Sequence, residues 1–308
     1  MMSPWLLGLG MLVLGTAGSW GLEFLIARER RLSELPPTTN SVRQWRPVVT
    51  LLVGVGLCAL LGWWELVLRV LDCPEVQPSD QGRLFRAAYH GLLVWLMVWG
   101  TVIDLDCYIL PDEITLTGLV LGVAGAVTFQ ELQIAHLWVD WIYAVPGIRG
   151  PYIPEWYDQL RWLHALSWSL CGAIVGGALT QVVRLISSRL LGQEAMGFGD
   201  VTFMAMIGSF LGWQGVVLIF GLAPLTGLVG VMINRAVGDR NYLPYGPCLA
   251  VAAYLVMLNW SSLWQQTRMF FSDLWLVAGL AVGGLALLVL LLGGLQVISK
   301  PQGRRVPP

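Results

Sequence analysis

The chain has 308 residues, 56% hydrophobic and 12% charged, with a net charge of −1 and a mean hydropathy of +0.68. Soluble domains carry about 25% charged residues, so this composition excludes an ordinary soluble protein, and the balanced charge gives no reason to expect nucleic-acid binding. Its apolar residues come in continuous runs rather than in short alternating segments, which excludes a transmembrane β-barrel and predicts an all-α, polytopic membrane protein.

A helix needs about 20 apolar residues to cross the hydrocarbon core of a bilayer. In chain order the candidate spans are Leu6–Ala27, Pro47–Val70, Ala88–Ile103, Ile114–Phe129, Leu163–Ile186, Val201–Leu211, Val216–Ala236, Cys248–Trp260 and Trp275–Val297. The sixth and eighth are short, so the expected number of transmembrane helices is eight or nine. The first is not expected to be a cleaved signal peptide, because basic residues follow it and none precedes it. Residues 29–46, with Pro36, Pro37, Thr38 and Thr39, read as a polar loop. The longest excursion, Glu131–Arg161, mixes Trp138, Trp141, Trp156 and Tyr157 with three prolines and is expected to lie at the headgroup level. The tail 300–308 reads as disordered. With no internal repeat, a transporter built from inverted repeats gains no support.

Basic residues predict the orientation. If the loop holding Arg28, Arg30, Arg31, Arg43 and Arg46 is cytoplasmic, then Arg184, Arg189, Arg235, Arg240, Lys300, Arg304 and Arg305 share that side. The opposite side receives Arg83, Arg86, Arg149, Arg161 and Arg268. The bias predicts N-terminus out and C-terminus in, with Asp104 and Asp200 at the cytoplasmic face. The five cysteines form no C-x-x-C pair and the three histidines are scattered, so neither a metal site nor a disulfide framework is expected.

Acidic residues inside the spans are few. Glu23 and Glu65 lie within a turn or two of a span end, where bending towards the interface is affordable. Two clusters matter more. "GTVIDLDCYILPDEIT" holds Asp104, Asp106, Asp112 and Glu113. Asp112 follows Pro111 at a helix start, where negative charge complements the dipole, and Asp106 reads as a solvated loop residue. Asp104 closes a helix, where the dipole disfavours an anion, so a capping role does not explain it. In "EAMGFGDVTFMAMIGSFLG", Asp200 fits an N-cap for a helix starting at Val201. That leaves Gly197 and Gly199, whose missing side chains permit close approach of another backbone. If Asp104 and Asp200 meet, they do not both ionise readily, and one keeps its proton. Such a pair suits aspartic proteolysis: one carboxylate takes a proton from water while the other hydrogen-bonds the scissile carbonyl.

At these residues the sequence resembles the type IV prepilin peptidases, intramembrane aspartic proteases of the GxGD kind. "IDLDCYILPDEIT" is similar to the family's D-x-x-x-x-x-L-P-D-x-x-T block and "EAMGFGD" to its E-x-M-G-x-G-D block. "YLPYGPCLAVAAYL" is similar to its P-[FY]-G-P segment, at Pro244, Tyr245, Gly246 and Pro247. The resemblance implies Asp104 and Asp200 as the catalytic pair, with Gly197, Gly199, Asp112, Pro244, Gly246 and Pro247 in supporting or substrate-binding roles. It implies cleavage of prepilin or pseudopilin precursors after a short basic leader, at the cytoplasmic face of a bacterial plasma membrane. It also implies three parts: N-terminal helices over 1–86, a peptidase membrane domain over 87–299, and the tail. Many members carry a C-x-x-C-bearing insert after the first helix, which N-methylates the product. The loop Arg28–Arg46 has no cysteine, so no zinc, S-adenosylmethionine or other cofactor is expected. A lysine often stands two residues past the second aspartate; Thr202 stands here. Two readings stay open beside this one, a cation-binding transporter using the same aspartates and an inactive peptidase-like scaffold. A protease of the presenilin type is disfavoured, because Ile103 precedes Asp104 and no Pro-Ala-Leu occurs.

Overall fold

In the computed structural model the described residues are 4–36, 38–141, 151–194, 196–237 and 244–299. The tail 300–308, residues 142–150 of the Trp-rich excursion, and the stretch 238–243 with Arg240 lie outside them. Among the described residues ten α-helices follow one another: α1 (Pro4–Leu32), α2 (Asn40–Trp63), α3 (Asp80–Cys107), α4 (Asp112–Phe129), α5 (Trp156–Gln159), α6 (Arg161–Leu191), α7 (Phe198–Val237), α8 (Gly246–Leu258), α9 (Trp260–Ser272) and α10 (Leu274–Ser299). Seven are long and apolar enough to cross a membrane, and α8 with α9 forms an eighth, broken candidate. The protein is an all-α, multi-pass membrane protein.

Helix α7 merges two predicted spans. Its 40 residues would reach about 60 Å as one straight rod, about twice the hydrocarbon thickness. The chain breaks instead at Gly212, with φ 70° and ψ 173°, angles open essentially only to glycine. Residues 198–211 lead away from Asp200, and 213–237 return, so that Thr226 meets the first turn of α8 at the carbonyl of Cys248. The predicted span Cys248–Trp260 also ends differently: α8 and α9 meet at an angle of 91°, and α9 lies across the end of the bundle.

The core is α3 together with the first limb of α7. Leu93, Val94 and Ile103 of α3 and Phe203, Met204, Met206, Ile207, Phe210 and Leu211 of α7 are buried. α10 and much of α1 and α2 instead turn apolar residues such as Leu290, Phe24 and Leu52 outward, as lipid-facing helices do. The helix that buries most thus carries Asp104 at its end, and the limb packed beside it carries Asp200 at its start.

Several polar expectations change. α1 runs on to Leu32 and α2 begins at Asn40, so the predicted loop 29–46 shrinks to residues 33–39. Glu65 does not bend to the interface. A π turn, Trp64–Leu68, carries it inward, where it is fully buried and pairs with buried Arg86 at 2.6 Å. Asp72 also pairs with Arg86 and, at 3.1 Å, with Arg83. These ion pairs let α3 start at Asp80, earlier than its apolar run suggests. At the same end, the Trp-rich excursion is built into a folded cap. Glu75 accepts the indole N–H groups of Trp141 at 2.5 Å and Trp264 at 3.0 Å, Trp260 donates to the Ile134 carbonyl at 2.8 Å, and Trp213 to that of Leu137 at 2.7 Å. Those tryptophans hold elements together, while Trp162 remains exposed.

Candidate active site

At the other end of the bundle, α3 winds one turn past Asp104. Tyr108 then takes a left-handed conformation, φ 58°, and its N–H donates to the Asp104 carbonyl at 2.9 Å. Pro111 is extended and starts α4. α7 begins at Phe198, earlier than Val201, so Asp200 lies in the first turn of the helix and is not its N-cap. There its charge faces the positive end of the helix dipole, and the N–H of Gly197 faces its carboxylate.

A cavity of about 290 Å³ joins the two aspartates. Asp104 and Asp200 are 5% and 7% exposed, close enough for their charges to interact. The N–H of Gly246, the first residue of α8, faces the Asp104 carboxylate. A Cβ on Gly246 would stand 2.5 Å from Oδ2 of Asp104, so only glycine lets the helix end come this near. Oδ2 of Asp104 is buried with no hydrogen-bond partner among the described residues. Pro244 and Tyr245 supply another wall. Burial above all, then Cys248 and Asp200 nearby, push the Tyr245 hydroxyl up to about 12, so it stays neutral and able to donate a hydrogen bond. The mouth is greasier: Tyr108, Ile109 and Phe198 line it and are 44%, 38% and 56% exposed.

Of the residues singled out from the sequence, Asp104, Asp200, Gly197, Gly199 and Pro244 line this cavity, and Gly246 touches it through Asp104. Gly199 presses on the chain itself: its added Cβ would meet Leu110 Cβ at 2.8 Å and Leu110 O at 3.1 Å. Pro247 sits at the second position of α8, and Asp112 is exposed in the first turn of α4, outside the cavity lining. Thr202, in place of the family's lysine, donates to the Gly199 carbonyl at 3.0 Å. Tyr245 and Glu194, which belong to the matched motifs, also line the cavity, as do Tyr108 and Phe198, which carry no sequence signal of their own.

Asp106 departs most from expectation. It is in the helix rather than in a solvated loop, and it accepts Arg30 Nε at 2.6 Å, Arg30 Nη2 at 3.0 Å and Arg46 Nη2 at 3.3 Å. Arg28 pairs with Glu113 at 2.5 Å. On the other side of the mouth Arg184 pairs with Glu194 at 2.6 Å and donates to the Met196 carbonyl at 3.0 Å, bracing the approach to Gly197. Among the described residues, no group of three or more His, Cys, Asp or Glu is placed to hold a metal ion.

Comparison with known proteins finds a family match that spans the two aspartate blocks but ends before Pro244. Residues 91–232 match the type IV leader peptidase family. The chain is 28% identical over 186 residues to the prepilin leader peptidase/N-methyltransferase of Aeromonas salmonicida, covering 59% of this chain and 52% of that protein. It is 30% identical over 186 residues to that of Aeromonas hydrophila (58% and 52% covered). Identity to that of Neisseria gonorrhoeae is 22% over 251 residues (76% and 73% covered). The chain thus spans about half the length of the first two relatives. No solved structure matches.

Proposed function

We propose that the chain, whose residues 91–232 match the type IV leader peptidase family, is an intramembrane aspartic endopeptidase that removes the leader from type IV prepilins or type II secretion pseudopilins. The observation that carries this is the meeting of Asp104 and Asp200 on one buried cavity. In the reaction, the ionised carboxylate of the pair takes a proton from a water molecule, which attacks the scissile carbonyl carbon. The protonated partner donates a hydrogen bond to the carbonyl oxygen as negative charge develops there. Breakdown of the tetrahedral intermediate returns a proton to the leaving amine. The two aspartates titrate as a unit, so the roles belong to the pair. Neutral Tyr245, which lines the cavity, hydrogen-bonds the substrate backbone in this reading.

The site faces the cytoplasm in this reading. Arg28, Arg30, Arg46 and Arg184 gather around it, and fewer arginines, Arg83 and Arg86, form the ion pairs of the far end, which fits the positive-inside bias. Cleavage proceeds without N-methylation, because the connection between α1 and α2 is short and has no cysteine.

The test is cleavage of a synthetic segment carrying a basic leader and a glycine before an apolar run, in membranes, with mass analysis of the product. Wild type is expected to cut after the glycine and leave an unmethylated terminus, and Asp104→Asn and Asp200→Asn to insert normally and cut nothing. Substantial activity in either variant would sink the dyad. A wild type that cuts none of several leaders would move the reading to an ion-binding or inactive scaffold.

A further inference from the structure

Asp104 and Asp106 sit two positions apart near the end of α3. At 3.6 residues per turn they point about 160° apart around the helix. Asp104 faces the cavity, and Asp106 faces α1 and α2. A carboxylate in the last turn of a helix is opposed by the dipole, so Asp106 needs cations, and the fold brings two of them. Arg30 forks onto it through Nε at 2.6 Å and Nη2 at 3.0 Å, a bidentate geometry that fixes direction as well as distance. Arg46, from the next helix, adds Nη2 at 3.3 Å and reaches back to Glu23 at 3.6 Å. Arg30 also donates to the Pro36 carbonyl. The side chains of Arg30 and Asp106 are each 17% exposed and that of Arg46 is 9%, so the cluster is largely shielded from the screening that makes surface ion pairs weak.

The segment it anchors is one wall of the site. From Asp106 the chain passes through Tyr108, Ile109 and Leu110, all lining the cavity. It then reaches Glu113, which Arg28 grips from α1 at 2.5 Å. Both ends of this short wall are therefore held by arginines of α1 and α2, helices that lie outside the matched stretch 91–232.

We infer that Asp106, with Arg30 and Arg46 as its counter-ions, is a positioning residue of the peptidase. The cluster sets the end of α3 and the wall 108–110, and thereby the direction in which Asp104 meets the substrate. This makes α1 and α2 a working part of the active site, and it rests on the peptidase reading above. A small misplacement of a catalytic group costs rate, not binding.

The experiment uses the full chain in membranes with the leader peptide of the cleavage test. The variants are Asp106→Asn, Asp106→Glu, Arg30→Gln, the double variant Asp106→Asn with Arg30→Gln, and Arg31→Gln as a control on the same helix outside the cluster. Asp106→Asn is expected to lower kcat by about 10- to 100-fold with KM near wild type. Asp106→Glu should recover most of the loss, and the double variant should be no worse than the worse single variant, because the two residues act as one unit. Independently of turnover, Ile109→Cys is introduced and its alkylation followed by peptide mass spectrometry. Asp106→Asn should change its rate several-fold and Asp106→Glu should not. A wild-type kcat in Asp106→Asn, or a loss that lies in KM or in the amount of folded protein, would overturn the inference. If wild type cuts nothing, the peptidase reading falls, and the alkylation rate alone decides whether Asp106 positions the wall: an unchanged rate refutes it.

Discussion

Gly246 and Gly199 each meet what a side chain would displace. At Gly246 the displaced group is reactive: an added methyl would lie 2.5 Å from Asp104 Oδ2 and 3.1 Å from Leu110 Cδ1. Gly246→Ala is therefore expected to lower kcat by about 100-fold while the protein stays folded, a split read by comparing turnover with thermal unfolding in detergent. At Gly199 the obstacle includes the backbone oxygen of Leu110, which cannot swing aside, so Gly199→Ala should cost about 1–3 kcal/mol of stability as overpacking does and lose activity with it. Asp112→Asn should be mild, because Asp112 is exposed and outside the cavity lining; a loss as deep as that of Asp104→Asn would give it a chemical role. The two aspartates that meet on the cavity stand out in the sequence for different reasons: Asp104 closes an apolar run, where the helix dipole opposes it, and Asp200 heads one behind two glycines. What Gly199 touches was not: the sequence suggests only that something comes close there, and the neighbour turned out to be Leu110, part of the same chain.

At the scale of elements, the break in α7 decides the most. Gly212 holds φ 70° and ψ 173°, and a Cβ there would strike the indole of Trp168. Gly212→Ala should lose about 1–3 kcal/mol for backbone strain alone, visible as a lower unfolding temperature, and an unaltered one would mean that the two limbs can meet at another residue. Two apolar runs separated by "GWQG" were readable as two spans. The position and angle of the break depend on Trp168 and on the cap, which Trp213 and Gln214 reach at the carbonyls of Leu137 and His136. The right-angle turn between α8 and α9 was hidden for a similar reason: Trp260 looks like the end of an apolar span until its indole N–H finds the Ile134 carbonyl, and Trp264 beyond it finds Glu75.

Across the whole molecule, two ionic centres hold opposite ends. At the far end Arg86→Met would leave Glu65 buried without its partner, at a cost of about 3–5 kcal/mol, to be measured by thermal unfolding; adding Glu65→Leu should recover much of it, since a well-packed apolar pair replaces a buried ion pair at little cost. The cap there should also respond to pH. Burial holds His136, which contacts the Glu75 carbonyl at 3.2 Å, below its usual range. A histidine that binds its proton less readily when folded contributes stability in full above its unfolded value of about 6.5 and loses it as pH falls through the folded value. Protection factors across residues 134–139, corrected for the pH dependence of intrinsic amide exchange, should therefore fall on acidification below about pH 6.5, and His136→Gln should flatten that response. The sequence by itself determined the class of the molecule and most of its spans, and it marked Asp104 and Asp200 as candidates, because apolar length and charge next to it are local properties that the bilayer constrains. Only the tertiary structure decided which charges are partners. Asp106 with Arg30 and Arg46, Glu65 with Arg86, and Glu75 with Trp141 and Trp264 lie far apart in the chain, and a pairing energy exists only once packed helices bring such groups into contact.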